Sequence, residues 1–271
     1  MRAEAALSVR ALFGAHFFIL LWLCTGGAHV RAQAGADCRA PGSGQWAIVR
    51  SVHDGDTLTL ADDRRVRLIG INAPELGRDG SPAQPFARAA RDRLRELLPD
   101  RTPVRLVLGA ERRDDYGRWL AHVYQADGSS VEAALLRQGL AWHIAVPPNL
   151  SQAECLAAAE AQARRRELGL WGPNGIAPVP AQRVRRGGYQ RVRGIVERVD
   201  FRRSWWLDLK GNVAGVIRPR HQHRFTRAAL DALAGKEIEL QGWVYENRGD
   251  AGKPWRVNIE TPYALMEPGG R

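Results

Sequence analysis

Three short segments carry side chains whose types and spacing suit chemistry on a phosphate. They are Asp54-Gly55-Asp56-Thr57, then Arg67-Leu68-Ile69-Gly70-Ile71-Asn72-Ala73-Pro74-Glu75, then Asp114-Asp115-Tyr116-Gly117-Arg118. Singly, each has a plain structural reading. Asp-Gly between apolar runs is a hairpin turn, Asn-Ala-Pro-Glu is a strand ending at proline, and Tyr-Gly-Arg is another tight turn. Together they make a demand that turns do not explain. Two arginines and three oxygen-bearing side chains come from strand ends that a barrel can gather on one rim. Flexibly spaced oxygen ligands suit a hard cation such as calcium. Two planar guanidinium groups can hold a phosphodiester and stabilise charge growing at phosphorus. A carboxylate that need not touch metal can orient or deprotonate an attacking water. Metal, base and paired arginines are the set that phosphodiester hydrolysis needs.

The elements around these segments read as a small barrel. Residues 46–52 alternate as a strand that ends in the turn at 53–56, and 57–60 and 65–70 follow as strands. A helix is expected from Pro82 or Pro85 to Leu98, with Ala87, Ala90, Leu94 and Leu97 on one face and arginines on the other. Strands at 104–108 and 119–124 come next, then a helix at 130–138 closed by Gly139. Ser151 and Glu154 form an S-x-x-E capping box for a longer helix running to about Leu168. Five strands with a helix after the third predict an α+β, mainly β fold: a five-stranded OB-type barrel with three helices over 46–173. Residues 174–186 hold Pro, Gly and Gln with little periodicity and read as a linker. Beyond it, strands at 189–199, 205–209, 213–218, 236–245 and 255–260, with a helix at 225–233, repeat the order. A second, smaller OB-like barrel is expected over 187–268.

Charge separates the two parts. The chain has 271 residues and a formal net charge of +11, built from arginine apart from Lys210, Lys236 and Lys253. Residues 35–181 are nearly balanced, with 19 arginines against 18 acids, whereas residues 182–271 carry 18 basic residues against 10 acids. Arginine forks match phosphate geometry, so an anionic polymer is a reasonable partner; a plain bias toward arginine is the alternative. The second part joins Trp205, Trp206, Trp243 and Trp255 to Arg202, Arg203, Arg218 and Arg220. Such a surface suits single-stranded nucleic acid, although tryptophans on alternating strand positions also build cores. His221 and His223 have no further ligand nearby in the sequence and read as a solvated loop.

Residues 1–34 read as a signal peptide: Arg2 and Arg10, an apolar run at 11–24, and a small-residue cleavage site at Ala32-Gln33-Ala34. The run falls short of the roughly 20 residues of a membrane span, so no stable span is expected after leader removal. The endpoint is secreted or periplasmic. Cys24 leaves with the leader. Cys38 and Cys155 then either form one disulfide or stay apart, Cys155 buried and Cys38 exposed.

From residue 46 to residue 171 the chain resembles the staphylococcal nuclease (thermonuclease) family, in the three motifs quoted above and in their order and spacing. The resemblance implies calcium-dependent cleavage of DNA and RNA to 3′-phosphorylated ends. It implies Asp56 as a calcium ligand, Asn72 in the second side-chain ligand position and Ala73 as a backbone carbonyl ligand. Glu75 matches the general base, Arg67 and Arg118 the phosphate clamp, and Tyr116 a substrate contact. Two departures stand out. Asn72 replaces the aspartate of the best-known members, which lowers ligand charge and predicts weaker calcium binding and tolerance of other divalent cations. Ile144, Ala145 and Val146 stand where that family places aromatic residues against the bound base, and Asp115 is acidic beside Tyr116. The expected protein is therefore an exported, monomeric nuclease acting on DNA, RNA or both. The rivals are a nuclease-like barrel that binds nucleic acid with little or no cleavage, and an envelope scaffold whose barrels bind protein or polyanion.

Overall fold

A computed structural model describes residues 38–77, 80–247 and 252–267; the expected leader and Cys24 lie outside them. The first barrel contains β1 Gln45–Val52, β2 Thr57–Leu60, β3 Arg65–Leu68, the short β4 Ile71–Asn72, helix α1 Ala87–Leu97, β5 Pro103–Arg113 and β6 Trp119–Tyr124. Helix α2 Val131–Arg137, the short β7 Trp142–His143 and helix α3 Ala153–Arg165 complete it. The barrel closes in the order β1-β2-β3-β6-β5. Antiparallel hairpins join β1 to β2 and β2 to β3, and β3 then pairs in parallel with β6. Leu58, Leu60, Val66, Leu68, Val104 and Leu106 fill the interior with Ala90 and Leu94 of α1. The sequence periodicities pointed at that face because a barrel strand buries alternate residues and a helix buries every third or fourth.

Helix starts depart from the sequence reading. Ser130, read as the first residue of its helix, is the cap of α2, its hydroxyl accepting from Ala133 N at 3.1 Å. The capping box at Ser151 does not form. Helix α3 begins after Gln152, and Ser151 Oγ lies 3.4 Å from His122 Nε2 instead. The pattern was present, but a tertiary neighbour took the hydroxyl. Helix α1 starts at Ala87, after Phe86 in a left-handed conformation with φ 67°, so both candidate prolines precede it.

The second barrel comprises β8 Val179–Pro180, β9 Gly188–Asp200, β10 Trp205–Leu209, β11 Val213–Ile217, helix α4 Arg227–Asp231, β12 Glu237–Glu246, β13 Trp255–Asn258 and β14 Leu265–Met266. Strands β12, β13, β11, β10 and β9 are hydrogen-bonded in turn, and an eight-residue β9–β12 ladder closes the ring. Strands β8 and β14 add to its edges. The stretch read as a linker takes part in this core, since Ala181 and Val184 are buried among its residues. Trp205 is also buried there and Trp255 packs against the same cluster. Of the four tryptophans read as either a stacking surface or core, these two belong to the core.

The barrels meet over a polar and aromatic junction. Trp142 stacks obliquely on Tyr189 at 5.2 Å, and Tyr189 meets Trp243 edge-on at 5.1 Å. Gln241 Nε2 donates to the His143 carbonyl at 2.7 Å, and Thr261 Oγ1 donates to that of Ala145 at 3.2 Å. Arg164 and Arg191 lie over the Trp171 ring at 4.8 and 4.3 Å. Cation–π and buried hydrogen bonds of this kind hold two surfaces in one geometry. Glu160 of α3 is buried under the junction and accepts from His143 N at 2.6 Å.

Glu132 is a second buried carboxylate, inside the first barrel. It accepts from Val123 N at 2.7 Å and from Ser130 Oγ at 2.8 Å, with His122 and Tyr124 as titratable neighbours. Burial pushes its carboxyl up to about 7, against the lowering by the Val123 N–H. A raised folded pKa means that the protonated form stabilises the fold below the unfolded value of about 4.5, a contribution lost as pH rises toward 7. Glu132→Gln keeps an acceptor for Val123 without that ionisation. Its thermal midpoint is expected to gain on the parent's as pH rises from about 4.5 to about 7 and to keep a constant offset above. Melting curves of both proteins across that range decide it; parallel profiles mean that Glu132 does not titrate in the window.

Candidate active site

The rim of the first barrel gathers the first two motifs. The turn between β1 and β2 needs Gly55, because a Cβ there would lie 2.6 Å from the Cβ atoms of both Ala73 and Ala90. That close approach sets Asp56 against the segment leaving β4. Asp56 is buried and its Oδ2 accepts from Ala73 N at 2.7 Å. Arg67 Nη2 lies 3.1 Å from the same oxygen, and Thr57 Oγ1 donates to Oδ1 at 3.0 Å. Burial raises the Asp56 carboxyl to about 6; Arg67 pulls against that rise and Asp54 adds to it.

Arg67 is the hub. Its Nη1 donates to the carbonyls of Leu68 and Ile71 at 2.6 and 2.8 Å, and Nη2 also donates to Asn72 Oδ1 at 3.1 Å. Asn72 is held from the other side by the β4–β7 pairing, opposite Trp142. The Asp56 carboxylate and the Asn72 amide oxygen are thus both within 3.1 Å of one nitrogen. Both are hard oxygen donors with lone pairs to spare, and the chemistry of this set fits a hard divalent cation. Ala73 reaches the cluster through its N–H.

Arg118 joins through Thr57, donating from Nη1 to Oγ1 at 3.5 Å. Its Nε is pinned by Asp114 Oδ2 at 2.7 Å, while Asp114 Oδ1 accepts the N–H groups of Tyr116 and Arg118. The guanidinium lies 5.4 Å from the centre of the Tyr116 ring, which is 84% exposed. Arg67 and Arg118 open on one cavity of about 260 Å³. Glu75 is exposed at the end of the second motif. Gln84 grips its backbone from both sides, with Oε1 accepting from Glu75 N at 2.9 Å and Gln84 N donating to the Glu75 carbonyl at 2.8 Å. Glu75 shares no hydrogen bond with the Asp56–Arg67 cluster among those of the described residues.

The structure therefore brings Asp56, Arg67, Asn72, Ala73 and Arg118 together and leaves Glu75 beside them on a pinned backbone. Sequence reasoning missed Thr57, Asp114 and Gln84 as supports. Asp114 carried a signal, since an aspartate opening a turn before Gly and Arg is placed to hold their N–H groups. Thr57 and Gln84 carried none. In the second barrel, His221 is buried rather than solvated: Arg220 Nε donates to its Nε2 at 2.9 Å, and Glu260 lies 3.5 Å away. No cluster of three or more His, Cys, Asp or Glu suited to a metal occurs among the described residues.

The chain is similar to known nucleases. Residues 65–173 match the family model described as staphylococcal nuclease homologue. The chain is 34% identical over 131 residues to a thermonuclease of Staphylococcus intermedius, covering 47% of this chain and 77% of that protein. It is 34% identical over 136 residues to an uncharacterized endonuclease of Escherichia coli O157:H7, covering 49% and 79%. It is 30% identical over 129 residues to a thermonuclease of Staphylococcus hyicus, covering 46% and 75%. On its barrel, its arginine pair and these relatives, the chain belongs to the staphylococcal nuclease family.

Proposed function

We propose that this nuclease hydrolyses phosphodiester bonds of DNA, RNA or both. The observation that carries the reading is the single cavity shared by Arg67 and Arg118, with the Asp56–Asn72 oxygen pair behind Arg67. Asp56, Asn72 and the Ala73 carbonyl would hold a divalent cation, calcium by the hardness of the donors. When bound, the cation supplies positive charge and Lewis acidity beside the phosphate. Arg118 binds a phosphate oxygen from the guanidinium edge that Asp114 leaves open. Arg67 binds the other side by exchanging protein acceptors for phosphate oxygens. Glu75 takes the proton of the water that attacks phosphorus, and the bond to the 5′ oxygen breaks with its electron pair; that oxygen takes a proton from solvent and leaves as an alcohol, and a 3′-phosphate remains. The growing charge on the equatorial oxygens falls to the two guanidinium groups.

One observation favours the rival reading of a binding protein with weak catalysis. Four protein acceptors engage the two Nη atoms of Arg67, so its release onto phosphate costs those bonds. Asn72 also removes one negative charge from the cation site. Export to a secreted or periplasmic location, as a monomer, is part of the proposal. It rests on the leader-like residues 1–34 and on Cys38 and Cys155, whose Cα atoms lie 5.6 Å apart, within the reach of a disulfide.

Glu75→Gln and Arg118→Ala are each expected to lower kcat by about a hundred- to a thousandfold, the usual scale for losing a general base or an anion-stabilising donor. Steady-state cleavage of single-stranded DNA, duplex DNA and RNA in calcium and in chelator measures this. Full activity in Glu75→Gln would show that another group takes the proton, and no cleavage with any divalent cation leaves the binding reading. Asn72→Asp restores a ligand charge and is expected to tighten calcium roughly tenfold in calorimetric titration; unchanged affinity would place the cation elsewhere. Closing a loop with a sequence separation of 117 residues is worth about 4–5 kcal/mol in the chain-entropy model. Reductant, or Cys38→Ala with Cys155→Ala, should therefore lower the thermal midpoint by several degrees. An unchanged midpoint in reductant would argue against a disulfide in the working protein, and with it against the oxidising compartment.

A further inference from the structure

A larger cavity of about 490 Å³ adjoins the one shared by the two arginines, and its walls come from both barrels. On the first barrel the lining includes Tyr116, Arg118 and Ile144, Ala145 and Val146. On the second it includes Trp243, Tyr245 and Tyr263, which are 37%, 46% and 38% exposed. The apolar trio that replaces the expected base-contacting aromatics thus faces aromatic side chains from the other barrel. Arg118 lines both cavities, and Trp243 reaches the wall of the smaller one as well. Tyr116 and Tyr245 are close enough for the charge of one to bear on the other.

We propose that Trp243, Tyr245 and Tyr263 of the second barrel, with Tyr116, form a stacking subsite for a nucleobase next to the phosphate held by Arg118. The inference rests on the nuclease reading for its substrate but not on any assignment of catalytic roles. The volume lies within the roughly 300–1,000 Å³ of small-molecule sites. Aromatic faces flank the space, and the polar residues His143, Gln241, Asn258 and Thr261 complete its lining. A flat heteroaromatic ring, with faces that stack and a rim that carries donors and acceptors, suits such a mixed lining. The carboxylates of Asp115 and Glu260 also line the cavity and repel phosphate. They leave the space to the base and the backbone to the arginine side. A base in a duplex is paired and stacked, so only an unpaired base can enter, and the subsite selects single strands.

The position of the second barrel makes the arrangement firm. Trp243 rests on Tyr189, and Tyr263 meets the His143 ring edge-on at 5.1 Å. Their rings are placed by the junction itself, and stacking therefore costs little ordering.

The full-length protein tests this with a single-stranded 12-mer and with bis(p-nitrophenyl) phosphate, a diester that has no base. In Tyr245→Ala, and separately in Trp243→Ala, the ratio of kcat/KM for the strand to that for the small diester is expected to fall about tenfold, which matches 1.4 kcal/mol of lost stacking. Trp243→Phe keeps an aromatic face and should recover most of the ratio even where the alanine variant folds poorly. Binding of the 12-mer in chelator, read by fluorescence anisotropy, should weaken by a similar factor, and the parent should prefer it to the same sequence as a duplex. An unchanged ratio with unchanged binding overturns the subsite, as does equal affinity for single strand and duplex. If the parent cleaves neither substrate, the catalytic reading fails, and the anisotropy series still decides the subsite.

Discussion

A buried carboxylate facing a half-buried guanidinium organises the rim of the first barrel. Burying Asp56 is costly for a charged group, and the structure offsets the cost with Arg67 at 3.1 Å, the Ala73 N–H and the Thr57 hydroxyl. Each partner comes from a different piece of the barrel, so the pair ties the β1–β2 turn to β3 and to the segment after β4. Gly55 is the steric condition for that closeness. The same guanidinium holds Asn72 and two backbone carbonyls, which brings the candidate cation ligands and the candidate phosphate-binding arginine into one network. Removing one member would leave the others buried and unpaired, a heavier loss than any single contact.

The second barrel is packed into the first rather than appended to it. Glu160, Trp142 and His143 are buried beneath its residues, and Gln241 and Thr261 bind backbone carbonyls at 143 and 145. Several arginines of this part are tied to its own carboxylates. Arg191 and Arg193 both reach Glu239, and Arg198 reaches Asp208. Net charge is therefore a weak guide to where a polyanion would lie. The aromatic wall beside Arg118 is the more specific feature, because it is continuous with the site.

The strand order and the core faces were legible because barrel strands and amphipathic helices write their periods directly into the sequence. Residues 57–60 and 119–124 were bounded as the structure has them, and the helices expected at 130–138 and from Ser151 to about Leu168 fell within a few residues of α2 and α3. The capping box at Ser151 failed because a cap is a competition, and His122, distant in sequence, offered the hydroxyl another partner. The linker reading failed for a related reason. Little periodicity in 174–186 hid the burial of Ala181 and Val184, which depends on what β9 and β11 place around them.

By itself the sequence determined the chemistry on offer: two arginines, oxygen donors and a free-standing glutamate at strand ends, in the order of a known nuclease family. Residue types and local periods are one-dimensional properties, and they survive without a fold. Only the tertiary structure decided how those groups are engaged. It showed Arg67 committed to four protein acceptors, Glu75 pinned through its backbone by Gln84, and Trp243 and Tyr245 facing Ile144 across a shared cavity. Packing and burial rather than spacing set which partner wins, whether the partner is close in the chain, as Leu68 and Asn72 are to Arg67, or distant, as Trp243 is from Ile144.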